Sequence, residues 1–535
     1  MIKQKELKII AIKDNIITIE GEHNYQFLEE IRFNKNVNGI VLKATHTKAF
    51  VALLKVEAHA SLQVGSTATA TGLPYKADIF NNYWGSIIDI DGSQMIAGPE
   101  VSEVKKLASL DIFKEAKPIY ARKLLSEPLV TGTTAIDGIL PVGKGQKELI
   151  VGDRGTGKTG LAVTAMLSQA DTNVKNVYVA VGKKREEVVE IYNTLKDRGV
   201  MNQTIIIVAA SDDTAAAKYL APYVGASVSE FFQEQGEDVL LVLDDLTNHA
   251  DAYRELSLII GGAPGREAFP GDIFFTHSRL LERCGRFTED FGGGSITILP
   301  IAQTLGGDIS GYIPTNLISI TDGQIYTSTT VFNEGRRPAL EITVSVSRLG
   351  SAVQTPSMAK ATSGLKRLIS EYEEQKKLSS FNSNLSAEDA ERNNKGKAFE
   401  VMIDQGEYEV IDYNTSVILF FLLRNGFLSF YNNDKNESVS EVSVIKEVLK
   451  VFLSKDILGM KLASLMNQKA MTDDVIQLYL KHIILPLLKY HILSENKWLR
   501  NNPEFIKVFK DIRNDGRVLL SYERRGYEKG IAYEI

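Results

Sequence analysis

Residues Gly152-Asp153-Arg154-Gly155-Thr156-Gly157-Lys158-Thr159 fit the pattern Gly-x4-Gly-Lys-Thr, which occurs once in the 535-residue chain. The motif follows the apolar run Glu148 to Val151 and precedes the helix-like run Leu161 to Leu167. That order constrains the fold: a strand, a glycine-rich turn and a helix N-terminus aim successive backbone N–H groups at one anion. Gly152 and Gly157 let the backbone wrap closely, Lys158 is expected to reach the β- and γ-phosphates, and the Thr159 hydroxyl is expected to ligate Mg²⁺. The implied ligand is ATP or ADP.

A site of this kind needs an acidic residue at the end of a buried strand. The run Val239 to Leu243 supplies it in Asp244, followed by Asp245, so Asp244 is the candidate for holding Mg²⁺ through water. Further apolar runs at Val177 to Val181, Thr204 to Val208, Ser295 to Pro300 and Leu317 to Ile320 read as strands separated by helical stretches. This alternation predicts an α/β domain with a mostly parallel sheet covered on both faces. Before it, short runs at Lys8 to Ile12, Ile16 to Glu20, Gly39 to Leu42 and Phe50 to Leu54, with turns at Asp14-Asn15, Asn38-Gly39 and Val64-Gly65, predict a small antiparallel barrel or sandwich. After Thr355 the texture is helical, as in Ser357 to Lys377 and Ile445 to Leu453, with a polar break at Ser379 to Asn394. Three domains are expected, over residues 1–73, 74–354 and 355–535.

Composition removes several alternatives. A net charge of −6 is the wrong sign for a chain that coats nucleic acid by charge. Cys284 is the single cysteine, so an intrachain disulfide or cysteine-based zinc site is excluded, and the thiol reads as packing. The seven histidines show no His-Glu-x-x-His spacing. Val417 to Leu423 and Ile483 to Leu488 fall short of the roughly 20 apolar residues that cross a bilayer. The opening residues lack the pattern of a signal peptide, and a cytoplasmic location is expected, with membrane association only through partners. The stretch Asp474 to Leu493, interrupted by Pro486, reads as core packing more readily than as a partner helix.

Several longer segments resemble the α subunit of the F1 sector of ATP synthase: Thr131-Gly132 through Gly143-Lys144-Gly145-Gln146-Lys147-Glu148, then Pro264 to Asp272, His277 to Arg283, Ile313-Pro314-Thr315-Asn316, Thr321 to Ile325, and Ser345-Val346-Ser347-Arg348-Leu349-Gly350. They follow one another in the family's order from about residue 117 to 360. The resemblance implies an N-terminal β-barrel, a central RecA-like P-loop domain and an α-helical C-terminal domain. It also implies an alternating heterohexamer with catalytic β-type chains around a γ-like central shaft.

Catalytic chains of that family carry a Glu just beyond the strand that follows the P-loop helix, where it orients the attacking water, and the α family carries Gln. Here Ala180-Val181-Gly182-Lys183 puts Lys183 in that place. An ammonium cannot accept a proton from water, so the chain's own site is expected to bind ATP without turning it over. Glu186 and Glu187 belong by register to the following helix and read as a solvated face. The resemblance assigns Arg348 as an arginine finger inserted in trans into the neighbouring catalytic site, where such groups contribute about 10³–10⁵ in rate. Outside that context Arg348 reads as a surface residue in a strand-to-loop turn. Arg337-Pro338 and Gln405 are assigned to the base. Gly155 and Glu407 stand where the family usually has Gln, which removes two neutral hydrogen-bonding groups near the nucleotide.

Two departures concern coupling. The first strand is expected from about Leu7, leaving no room for the family's stalk-docking N-terminal helix, and the far end runs on through Trp498, Arg513, Arg517, Arg524 and Arg525. Together with the abundance of Lys, Asn and Ile, this resembles divergent copies in wall-less bacteria. The expectation is a ring that hydrolyses ATP to drive motion or transport, peripheral on the inner face of the cell membrane, with stator or motility-specific proteins bound through the C-terminal extension. Two competing readings share part of this pattern. A self-sufficient export ATPase of the flagellar or type III secretion kind needs a Glu at Lys183. A Rho-like RNA translocase needs a basic, aromatic barrel face, which the first 70 residues lack.

Overall fold

The computed structural model describes residues 6–34, 37–55, 62–378, 387–425, 428, 438–455, 457–466 and 484. The chain divides into two compact units, Met1–Thr131 with Val142–Leu349, and Gly132–Pro141 with Gly350–Ile535. The segment 474–493, apart from Ile484, and the arginine-rich extension lie outside the described residues.

The first unit opens with a closed antiparallel barrel. Its strands run in the order Glu6–Lys13, Ile16–Glu20, Lys48–Leu53, Val37–Ala44, Glu29–Asn34 and Thr67–Pro74, the last pairing back onto the first. Alternate residues, among them Leu7, Ile9, Ile17, Ile19, Ile31, Val51 and Leu53, fill the interior, as the two-residue period of a strand requires. Closure leaves no free edge, which decides between barrel and sandwich. Two of the six strands were not anticipated. Glu29–Asn34 is rich in charge and Thr67–Pro74 in small residues, so neither carries an apolar run. Glu29 is nonetheless fully buried, its carboxylate accepting from the backbone N–H groups of Gln26 at 2.9 Å and Gly72 at 2.8 Å.

The α/β part of this unit is built on one large sheet. From one edge its strands are Val346–Ser347, Gly323–Thr327, Leu149–Gly152, Ser295–Gln303, Asp238–Asp244, Lys175–Val181, Thr204–Ala209, Ile87–Asp89 and Gln94–Ile96. The seven from Gly323–Thr327 to Ile87–Asp89 pair in parallel, and the two outermost strands are antiparallel. Strands such as Thr204–Ala209 are buried along their whole length, which is why they read as unbroken apolar runs. The expected strand at Leu317 to Ile320 is instead the end of a helix, Tyr312–Ile320. Its buried residues Ile313, Leu317 and Ile320 recur at spacings of four and three, a helical stripe that a four-residue window cannot distinguish from a strand. The edge strand comes immediately after it, at Gly323–Thr327.

The second unit is helical. Around the apolar helix Tyr413–Arg424, buried from Val417 to Leu423, lie Thr134–Ile139, Pro356–Thr362, Leu365–Leu378, Ala387–Ile403, Ser438–Lys455 and Ile457–Met466. Gly138 allows the closest approach, since a Cβ there would meet the Phe420 ring at 2.0 Å. The expected polar break at 379–394 is helical from Ala387 onward. Polarity alone misled, because the helix buries Ala398, Phe399, Met402 and Ile403 near its C-terminal end, beyond the polar stretch. The single stretch expected over Ser357 to Lys377 is two helices, divided where Gly364 takes a φ of +77°. No described helix is long and apolar enough to cross a membrane.

Candidate functional site

The strands Leu149–Gly152, Lys175–Val181 and Asp238–Asp244 end on the same side of the sheet, where open α/β sheets hold their ligands. Gly152 lies so close to its neighbour that a Cβ would meet Thr327 Oγ1 and the Thr327 carbonyl at 2.2 Å. Gly157, at φ +88°, is the N-cap of the helix Lys158–Leu167 and brings no side-chain acceptor to the helix N-terminus. The first-turn N–H groups therefore remain available to an anion.

Asp153 ties the loop down. Its carboxylate accepts from Thr304 Oγ1 at 2.6 Å, Gly307 N at 2.8 Å and Thr329 Oγ1 at 3.0 Å. Against the opposing effect of partial burial, these bonds and the nearby Lys158 hold its carboxyl below the ordinary value. Thr156 is buried, donating to the Asp153 carbonyl at 2.8 Å and paired with Thr327 Oγ1 at 2.6 Å. Arg154 and Gly155 are exposed at the loop's tip. Lys158 is buried with its ammonium on the carbonyls of Gly152, at 2.8 Å, and Asp153. Burial lowers its pKa to about 8, with the carboxylates of Asp245 and Asp244 opposing that shift.

Thr159 and Asp244 come together, Thr159 Oγ1 donating to Asp244 Oδ2 at 2.6 Å. Tyr178, which sequence reasoning missed, donates to the same oxygen at 2.8 Å from the middle of the adjacent strand. Asp245 caps the helix Leu246–Ile259 through Asn248 N at 2.8 Å and accepts from Gln303 Nε2. Burial, then the charge of Asp244, raises the Asp245 carboxyl to about 6.

Lys183 enters this corner. Its ammonium donates to Thr159 Oγ1 at 3.1 Å and lies 3.1 Å from Asp244 Oδ2, with Glu187 Oε2 at 3.9 Å. Glu186 and Glu187 sit in the first turn of the helix Arg185–Asp197, as register required. The expected magnesium ligands are thus adjacent, but they do not fit a magnesium ion as they stand. The Thr159 proton is directed at Asp244, and one of the two lone pairs on its oxygen accepts from Lys183, whose ammonium brings a positive charge into the corner a Mg²⁺ would take. Among the described residues no cluster of three His, Cys, Asp or Glu could hold a metal.

The other assigned residues belong to other elements of the chain. Arg348 is exposed and follows the edge strand Val346–Ser347, with Nη2 donating to the Ile318 carbonyl at 3.2 Å. Ser347 pairs with Gly323 at the start of Gly323–Thr327, whereas the phosphate loop lies beside Thr327 at its end. Four residues of strand, about 13 Å, separate the two ends. Arg337 is half-buried, stacked 3.6 Å from the Phe332 ring centroid with Nη1 on the Phe332 carbonyl, and joined to Pro338 by a cis peptide bond. Gln405 belongs to the second unit. There its amide donates to the carbonyls of Gly132 and Glu409 and accepts from Thr134 N. Those bonds are structural, while Glu407 beside it is exposed.

Comparison with known proteins agrees with this arrangement. Residues 132–347 match the family described as ATP synthase alpha/beta family, nucleotide-binding domain, and residues 354–484 match the ATP synthase alpha/beta chain, C terminal domain. The chain is 40% identical over 426 residues to ATP synthase subunit alpha of Mycoplasmoides gallisepticum, covering 80% of this chain and 82% of that one. It is 42% identical over 424 residues to ATP synthase subunit alpha 1 of Mycoplasmopsis pulmonis, covering 79% of each. It is 38% identical over 469 residues to ATP synthase subunit alpha of Clostridium botulinum strain Alaska E43, covering 87% of this chain and 90% of that one. With a barrel, a phosphate loop on a parallel sheet and a helical C-terminal unit in the same order, the chain belongs to the ATP synthase α subunit family.

Proposed function

We propose that the chain is the noncatalytic ATP- or ADP-binding subunit of an F1-type rotary ATPase ring, in which it alternates with catalytic β-type chains around a γ-like shaft. The observation that carries the reading is Lys183: an ammonium stands where turnover requires a carboxylate, and its partners are Thr159 and Asp244. No general base for water follows from that geometry. Gly152 to Thr159 hold the phosphates, Arg337 and Pro338 act toward the base, and the three domains have the boundaries 1–73, 74–354 and 355–535.

Within this reading Arg348 serves a neighbour. Its exposure, and its place at the sheet end away from the chain's own loop, support insertion into an adjacent catalytic site. A guanidinium there stabilises charge on the transferring phosphoryl group. The work of the ring is hydrolysis coupled to motion or transport at the inner face of the membrane, with stator or motility-specific partners. Synthesis of ATP by the purified complex under a proton gradient contradicts that part.

Native mass spectrometry of the complex tests the assignment. Three copies of this chain with three copies of a second P-loop chain and one shaft protein are expected, with nucleotide retained on this chain. A homohexamer overturns it and favours the export-ATPase reading.

A further inference from the structure

Resting on the reading of Gly152 to Thr159 as a noncatalytic nucleotide site, we infer that this site takes ATP or ADP without a divalent metal, the ammonium of Lys183 serving as its built-in cation. Thr159 and Asp244 form the corner in which a P-loop site places its metal. Here the Thr159 hydroxyl gives its proton to Asp244 at 2.6 Å and accepts from Lys183 at 3.1 Å. Asp244 Oδ2 already receives Thr159 and Tyr178 and faces Lys183 at 3.1 Å. Thr159 Oγ1 and Asp244 Oδ2 thus each already hold protein hydrogen atoms, and the Lys183 charge stands between them.

The cation is held by more than its own bonds. Lys183 lies two residues past the strand Lys175–Val181, in which Ala180 is registered opposite Asp244. Gly182 N donates to the Ala209 carbonyl at 2.7 Å, and Ser211 N to the Lys183 carbonyl at 2.8 Å, which pins the turn to the next strand. Asn248 Nδ2 donates to the Val181 carbonyl at 2.9 Å from the helix that Asp245 caps. The side chain is only 14% exposed, so the charge is directed into the site. An ammonium has three donors. Two face Thr159 and Asp244, and Glu187 Oε2 at 3.9 Å is beyond hydrogen-bond distance, which leaves the third for a phosphate oxygen. Lys158 and the helix N-terminus provide the remaining positive field.

A site of this design binds the metal-free nucleotide and gives up turnover, since phosphoryl transfer depends on metal ions bridging the phosphates. The test is equilibrium dialysis of the full-length chain with radiolabelled ATP, in Mg²⁺ and in excess EDTA, for the wild type and Lys183→Gln. Wild-type affinity is expected to change by less than about 3-fold on chelation, and Lys183→Gln affinity to fall by about tenfold or more. Electron paramagnetic resonance with Mn²⁺ as the probe is expected to show immobilised Mn²⁺ only in the ATP-bound variant. A wild type that loses about tenfold on chelation and immobilises Mn²⁺ overturns the inference, and this comparison needs no variant. Absence of ATP binding in both media overturns the nucleotide-site reading itself.

Discussion

Replacing Arg283 by Met removes a charge from one of the most enclosed positions in the first unit. The guanidinium is 1% exposed. It meets Glu230 twice at 2.8 Å, and donates to the Ile112 carbonyl and to Ser227 Oγ at 2.7 Å each. It thereby joins the helix Ala215–Gln233 to the segment leading out of Lys106–Asp111. Met restores most of the volume but leaves Glu230, 2% exposed, without its main partner. Breaking one side of a buried pair costs about 3–5 kcal/mol. Lys114, at 3.8 Å from Glu230 Oε2 and partly exposed, places the expectation toward the lower end. Removing both charges in Arg283→Met with Glu230→Leu leaves only the bonds to Ile112 and Ser227 unmade, at about 1 kcal/mol each. The assay is urea unfolding followed through Trp84, which packs 4.6 Å from Phe232 near the end of the same helix, in a Trp498→Phe background. With a slope of about 3 kcal/mol/M, the single variant shifts the midpoint down by about 1 M, and the double variant recovers about a third of that. A single variant within about 1 kcal/mol of the parent, or a double variant worse than the single, refutes this reasoning.

Three other outcomes follow from buried titratable groups. Burial lowers Lys158 to about 8, so the ammonium proposed to meet phosphate is lost from the free protein as pH rises through that value. ATP affinity measured by dialysis is expected to fall above about pH 8, approaching tenfold per pH unit. His249 and His277 lie 3.3 Å apart and fully buried, and burial lowers both, His249 to about 4. Their stabilising contribution is complete above the ordinary histidine value of about 6.5 and is lost as pH falls from there through the folded values. Urea unfolding of wild type against His249→Phe with His277→Leu is expected to show the variant less pH-dependent by up to about 2.7 kcal/mol per unit. Burial pushes the Cys284 thiol up to about 12, so the native chain resists iodoacetamide at pH 8 and reacts only after denaturation.

Local signals were legible where chemistry and chain order coincide. The phosphate loop, the buried strands around it and Asp244 at a strand end could all be read, because each is a short pattern with one physical cause. Register also placed Lys183 beyond the strand Lys175–Val181. Its reach to Thr159 and Asp244 was not legible, since it depends on how two strands far apart in sequence lie side by side. The same holds for Tyr178 and for Thr304 and Thr329, which fix Asp153 across more than 150 residues of chain. The error at Leu317 to Ile320 came from a window too short to reveal the stripe that begins at Ile313. Glu29–Asn34 escaped because its buried carboxylate is satisfied by backbone donors that no local pattern announces. For Gln405, nothing local indicated that the backbone of Gly132, Thr134 and Glu409 takes up its amide.

The proposed division of labour, nucleotide held on this chain without hydrolysis and chemistry completed in a neighbour, is checked by the steady-state ATPase rate of the reconstituted ring carrying one of two variants of this chain. Arg348→Ala is expected to lower turnover by about 10³ or more, as loss of an arginine finger does. Lys158→Ala, which disables this chain's own phosphate loop, is expected to leave turnover within about tenfold of wild type. Turnover abolished by Lys158→Ala and preserved in Arg348→Ala contradicts that division of labour.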